Sequence, residues 1–131
     1  MCTVDVNGCE GDQVVAVLRG QLDVVHAANV AARLAVITSR DREVIVDLSG
    51  LEFMDSSGLA ALVRARKHAR HAGSDLLLAA PRQQVLRLLT VTRLIDAFRV
   101  YARVEDAASR ARMSEPGTAA VAPPAVILAA S

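Results

Sequence analysis

The residues best suited to chemistry in this chain are Asp55-Ser56-Ser57-Gly58. They head a run in which Leu59, Leu62 and Val63 return at helical spacing, so two small hydroxyl residues follow an acid where a helix begins. A helix start exposes unpaired backbone N–H groups and the positive end of the helix dipole, a setting that suits an anion. A phosphoryl group on a serine there would bring a charge of about −1.5 to −2, accommodated in part by the helix end but repelled by Asp55 and by any acidic or apolar partner surface. That chemistry makes a switch at an interface. Gly58 lacks a side chain beside the serines, which leaves room for another protein's backbone or a nucleotide-bearing loop to come close. Asp55, Ser56 and Ser57 also suit plain helix capping, which needs nothing else from the chain. Acyl-serine chemistry is disfavoured, because neither serine sits in a Gly-x-Ser-x-Gly turn.

Other reactive side chains lack company. His26, His68 and His71 have no base or ligand partner that spacing can identify, and His68 and His71 lie one turn apart on a basic helix face that reads as solvated. Arg64, Arg66 and Lys67 on the same helix read as a solvated basic stripe, with a docking face as the alternative. Cys2 and Cys9 are too few and too close to the N-terminus for a disulfide framework or a zinc site, so they are expected to be reduced thiols. No metal or cofactor is called for. The charge balance, 15 Lys and Arg against 14 Asp and Glu, gives no strong pull toward nucleic acid or membrane and favours a protein partner. The opening residues lack the basic flank and apolar run of a signal peptide, and no apolar stretch reaches spanning length, so a cytoplasmic location is expected.

The elements that must position Asp55–Gly58 alternate between strand and helix, the pattern of an α/β sheet covered by helices. With 131 residues, 53% of them hydrophobic, one domain with a real core is expected. Val4–Val6 and Val14–Leu18 read as strands joined through the turn-rich stretch Asn7–Asp12 into a hairpin, and Arg19–Asp23 closes the second strand. A helix is expected over Val24–Thr38 with Asp23 as its N-cap, and Ser39–Arg42 breaks it. Val44–Leu48 is a short apolar run of the kind buried on both faces of a central parallel strand. The helix at Ser56 runs to Ala72 and stops at Gly73; Leu76–Ala80 is a further strand ended by Pro81. Val85–Leu89 makes a short helix, Phe98–Tyr101 a last strand and Val104–Met113 a closing helix. The sheet should therefore hold four or five strands, and the Ala/Pro-rich residues 114–131 form a mobile tail.

Phe53-Met54-Asp55-Ser56-Ser57-Gly58-Leu59 resembles the signature of STAS domains that antagonise anti-sigma factors. Leu18-Arg19-Gly20-Gln21-Leu22-Asp23 is similar to that family's Gly-x-Leu-Asp segment, and Val46-Asp47-Leu48-Ser49 leads into the signature as it does there. The resemblance spans Val4 to Met113, so residues 1–113 are expected to form the STAS domain. It implies a mixed sheet with about four helices, packed mainly on one face. It also implies a partner: an anti-sigma factor with serine-kinase activity and a histidine-kinase-like ATP-binding fold. The unphosphorylated antagonist would capture that kinase and free a sigma factor. The kinase would then phosphorylate Ser56, and a serine phosphatase would restore it. Asp55 and Ser57 carry over as flanking contacts, Gly58 as the close-approach position and Asp23 as a surface residue near the same site, with helix capping as the competing role of Asp23. Members of the family also serve as interaction or ligand-binding modules that are never phosphorylated, and that alternative stays open.

Overall fold

β-Branched residues in both halves of a hairpin give the chain its first two strands. The computed structural model describes residues 2–10, 13–38 and 43–112, within which β1 (Cys2–Glu10) pairs antiparallel with β2 (Gln13–Leu22). Both strands run further than their apolar runs suggest. Asn7–Glu10 belongs to β1 rather than to the connection, with the extra residue Gly8 taken up as a bulge between Asn7 and Cys9. Residues 11–12 of the expected turn, the expected break at 39–42, the end of the closing helix at Met113 and the expected tail 114–131 lie outside the described residues.

From β2 the sheet grows in one direction. Strands β3 (Glu43–Met54), β4 (Leu76–Ala79) and β5 (Val100–Tyr101) add in sequence order, each parallel to the last, to give a five-stranded mixed sheet. Three crossovers step the same way, carried by α1 (Ala27–Ile37), α2 (Ser56–His71) and α3 (Gln83–Val91). Crossovers of one hand that advance in one direction land on one face. Val30 and Leu34 of α1, Leu59 and Leu62 of α2, and Val85 and Leu89 of α3 accordingly share a single core with Val44, Val46 and Leu48 of β3. The last helix, α4 (Val104–Arg112), is not a crossover and covers the opposite face, where Ala107 packs with Ile45, Leu77, Ala79 and Tyr101. Alternate residues of β3 and β4 thus enter two different cores, which is why both strands read as unbroken apolar runs.

Several boundaries differ from expectation: β4 ends at Ala79 rather than Ala80, β5 begins at Val100 rather than Phe98, α3 extends over Gln83–Val91, and two further differences bear on the site. The helix expected from Val24 begins at Ala27, because Val24–His26 form a turn of their own. The strand expected to end at Leu48 continues to Met54, since Gly50, Leu51, Phe53 and Met54 keep register partners in Arg19, Gly20, Gln21 and Leu22 of β2. By contrast, α2 stops where its sequence says: Gly73 adopts φ 84°, its N–H donates to the Arg70 carbonyl at 3.1 Å, and the Ser74 N–H reaches back to Ala69 at 2.8 Å.

Arg66 departs from the solvated basic stripe. Its Nε lies 3.3 Å from Oδ1 of Asp75, and its guanidinium sits 5.7 Å from the centre of the Phe98 ring, while Arg70 approaches the other carboxylate oxygen at 3.7 Å. Asp75 is buried and is held by the chain itself, accepting from the Leu76 N–H at 2.8 Å and offering its own carbonyl to Val44. This carboxylate therefore ties α2 to the entry of β4. Asp75→Ala should lower stability by about 2 kcal/mol, since it strands the partly buried Arg66 cation and unties the Leu76 amide. Denaturant titration checks this, with a fall in midpoint at unchanged slope. A double-mutant cycle with Arg66→Ala should show clear non-additivity; simple addition of the two losses would contradict the pairing.

Candidate functional site

Parallel strands place functional residues at their carboxyl ends, and β2 and β3 end side by side. Leu22 and Met54 are register partners, so the residues that follow them, Asp23 and Asp55, leave the sheet together. The Asp55 N–H donates to the Leu22 carbonyl at 3.2 Å, which joins the two exits directly. Asp55 is the N-cap of α2: its backbone is extended and its Oδ1 accepts from the Gly58 N–H at 3.0 Å, while its carbonyl accepts from Leu59 at 3.0 Å. The capping and switch readings therefore fall on different residues. Asp55 closes the helix, whereas Ser56, the first residue inside it, is exposed, and Ser57 is half-buried. At these first positions the backbone amides have no carbonyl of an earlier turn to bond. No other acid occupies the first turn of α2.

Gly58 is buried, and the close approach it permits is internal. A Cβ built there would stand 2.6 Å from both the carbonyl oxygen and Cγ of Leu22 and 2.9 Å from Cγ of Met54. The glycine lets the first turn of α2 settle onto the ends of β2 and β3, and within the chain the contact it makes room for is Leu22.

Asp23 does cap, though not α1. Its Oδ1 accepts from the N–H groups of Val25 at 3.1 Å and His26 at 3.3 Å and lies 2.8 Å from Nδ1 of His26, fixing the turn that precedes the helix. The His26 side-chain hydrogen bond, more than any other contact, holds the Asp23 carboxyl below the usual carboxylate range. Sequence gives Asp23 a capping role and His26 no partner, whereas the structure pairs the two. Their i,i+3 spacing was the available signal. Within the fixed turn, Val24 and Val25 are 71% and 76% exposed, so the rim beside Asp55 and Ser56 is apolar as well as acidic.

A second feature was not legible from residue types. The side-chain amide of Gln84, in the first turn of α3, bonds both backbone groups of Met54: Nε2 donates to the carbonyl and Oε1 accepts from the N–H, each at 2.9 Å. The outer flank of α3, with Arg82, Arg87, Leu88 and Val91, lines an open groove against Glu52 of β3. Among the described residues no group of three or more His, Cys, Asp or Glu could hold a metal, and no helix is long and apolar enough to cross a membrane.

The chain is similar to known proteins in sequence and in fold. A family model described as the STAS domain matches residues 4–107. The anti-sigma-B factor antagonist of Bacillus subtilis is 28% identical over 102 residues, covering 78% of this chain and 93% of that protein. The anti-sigma-B factor antagonist of Listeria monocytogenes is 27% identical over 99 residues, 75% of this chain and 87% of that protein. Among solved structures, an anti-sigma factor antagonist from Mycobacterium paratuberculosis superposes with a TM-score of 0.76 at 23% identity, covering 86% of this chain and 95% of that one, a likeness of fold.

Proposed function

Since the chain belongs to the STAS domain family, with relatives that are anti-sigma factor antagonists, we propose that it captures an anti-sigma kinase and is released by phosphorylation on Ser56. The observation that carries the reading is the division of labour at the head of α2. Asp55 does the capping through Gly58, so the neighbouring Ser56 is exposed at a helix start and is not needed to close the helix. Around it lie Asp23, Asp55 and Ser57, together with the exposed Val24 and Val25, a rim on which a partner can bury apolar surface. A dianion at Ser56 adds to the charge of Asp55 and must be desolvated for the partner to seat, so phosphorylation opposes docking without disturbing the buried core beneath. Gly58 contributes by bringing the helix head down onto Leu22, which sets where Ser56 projects.

The partner in this reading is an anti-sigma factor with serine-kinase activity and an ATP-binding, histidine-kinase-like fold; a serine phosphatase reverses the modification, and the chain acts in the cytoplasm as a regulator rather than an enzyme. Transcription reconstituted from the cognate sigma factor, core polymerase and anti-sigma factor tests the antagonism. Adding the unphosphorylated chain should restore transcription at near-stoichiometric ratio. Continued silence at tenfold excess, with the anti-sigma factor shown to be active, would contradict it.

A further inference from the structure

The far edge of β3 has no strand partner beyond Asp47, which pairs with Ala79, the last residue of β4. Strand β4 ends at Ala79 because the chain turns away: Ala80 takes φ 54°, its N–H goes to the Tyr101 carbonyl at 2.8 Å, and Pro81 follows with no N–H to offer. The half of β3 that carries the chain into Asp55 and Ser56 is thus paired with β2 on one side only. At its last residue that gap is closed by a side chain. Gln84 presents an amide to Met54, donor to carbonyl and acceptor to N–H, as the N–H and C=O of one residue of an added antiparallel strand would.

We propose that Gln84 is a positioning residue for Ser56: its amide completes the β3 edge at Met54 and so fixes the peptide from which Asp55 and the head of α2 depart. The role rests on Ser56 being the phosphoacceptor, but its structural part stands on the geometry. Met54 precedes the cap; its N–H and carbonyl are both occupied by Gln84, and the next amide, Asp55, is occupied by Leu22. The segment is therefore gripped from α3 on one side and β2 on the other, and Asp55 can hold the Gly58 amide only from a defined position. Without Gln84, the last turn of strand loses one of its two restraints. Because Gln84 sits thirty positions from Met54, this grip also couples α3 to the switch segment.

Backbone amide exchange on the full chain tests the positioning, comparing wild type with Gln84→Leu, Gln84→Glu and the neighbouring Gln83→Leu. Gln84→Leu should speed exchange at Met54, Asp55 and Gly58 at least tenfold, with Gln83→Leu changing none of them. Gln84→Glu should behave like Gln84→Leu near neutral pH, since a carboxylate cannot donate to the Met54 carbonyl. It should regain protection as pH falls toward and below about 4.3, where the protonated acid has both a donor and an acceptor. A role in bulk packing predicts no such pH-dependent rescue. Unchanged protection at Asp55 and Gly58 in Gln84→Leu would overturn the proposal, whatever happens at Met54. With the partner kinase, Gln84→Leu should lower the turnover of Ser56 phosphorylation about tenfold with KM within twofold. Wild-type turnover, or a change confined to KM, would overturn the positioning role. Should wild type itself accept no phosphoryl group, the phosphoacceptor reading fails, and exchange at Asp55 and Gly58 alone decides whether Gln84 positions this segment.

Discussion

Ser56→Asp is expected to bind the partner kinase about a hundredfold more weakly than wild type, a loss of roughly 2.7 kcal/mol, and a phosphoryl group at Ser56 about a thousandfold. The difference reflects charge: aspartate brings one negative charge on a short side chain, phosphoserine nearly two on three acceptor oxygens. Ser56→Ala is expected to bind at least as tightly as wild type and to stay bound when ATP is supplied, because nothing remains to be modified. Since Ser56 is exposed and Asp55 closes the helix, neither change should move folding stability by more than about 0.5 kcal/mol. Calorimetric titration against the kinase, with and without ATP, reads all of these. Equal affinity of wild type and Ser56→Asp would remove the electrostatic mechanism.

Gly58→Val acts on a different link, from packing to stability. Even its Cβ would meet the Leu22 carbonyl oxygen at 2.6 Å, and that atom belongs to the backbone of a fully buried strand end that also bonds Asp55. It cannot swing aside as a flexible side chain would, so the head of α2 must lift. The expected loss is about 3 kcal/mol, at the upper end of overpacking costs, which corresponds to a fall of roughly 10 °C in Tm for a domain of this size. Gly58→Ala should show most of this effect, because the clash begins at Cβ. Leu22→Ala should not relieve it, since the carbonyl remains and a cavity is added. Thermal unfolding followed by circular dichroism is the check. Unaltered Tm in Gly58→Ala together with lost kinase binding would show instead that the glycine faces the partner.

Much of this was written locally in the chain. The hairpin, the order of strands and helices, the stop at Gly73 and the cap at Asp55 each follow from a few adjacent residues whose backbone preferences agree with the fold. The candidate site stands out in the sequence as Asp23 and Asp55–Gly58 because hydroxyl, acidic and glycine residues cluster at two element boundaries. What stayed hidden depends on partners far along the chain. Ser49-Gly50-Leu51-Glu52 has neither alternation nor β-branching, and remains strand only because β2 lies alongside it. Arg66 looked like one of several solvated cations until β4 brought Asp75 beneath it. Glycine at position 58 announces a close approach but not of what, and only the pairing of β2 with β3 puts Leu22 there. Gln84 carries no signal in sequence; its two bonds to Met54 occupy an edge left without a strand by the early end of β4.

The central claim, that Ser56 is the phosphoacceptor of a partner switch, is tested most directly by intact-mass and phosphosite analysis after incubating the purified chain with ATP and its partner kinase, wild type beside Ser56→Ala. One added phosphoryl group on wild type, located at Ser56 and missing from Ser56→Ala, is the expected result. Retained phosphorylation in Ser56→Ala would move the site, most simply to Ser57, and no modification of wild type while a control substrate is phosphorylated would contradict the switch and leave an interaction module that docks without being modified.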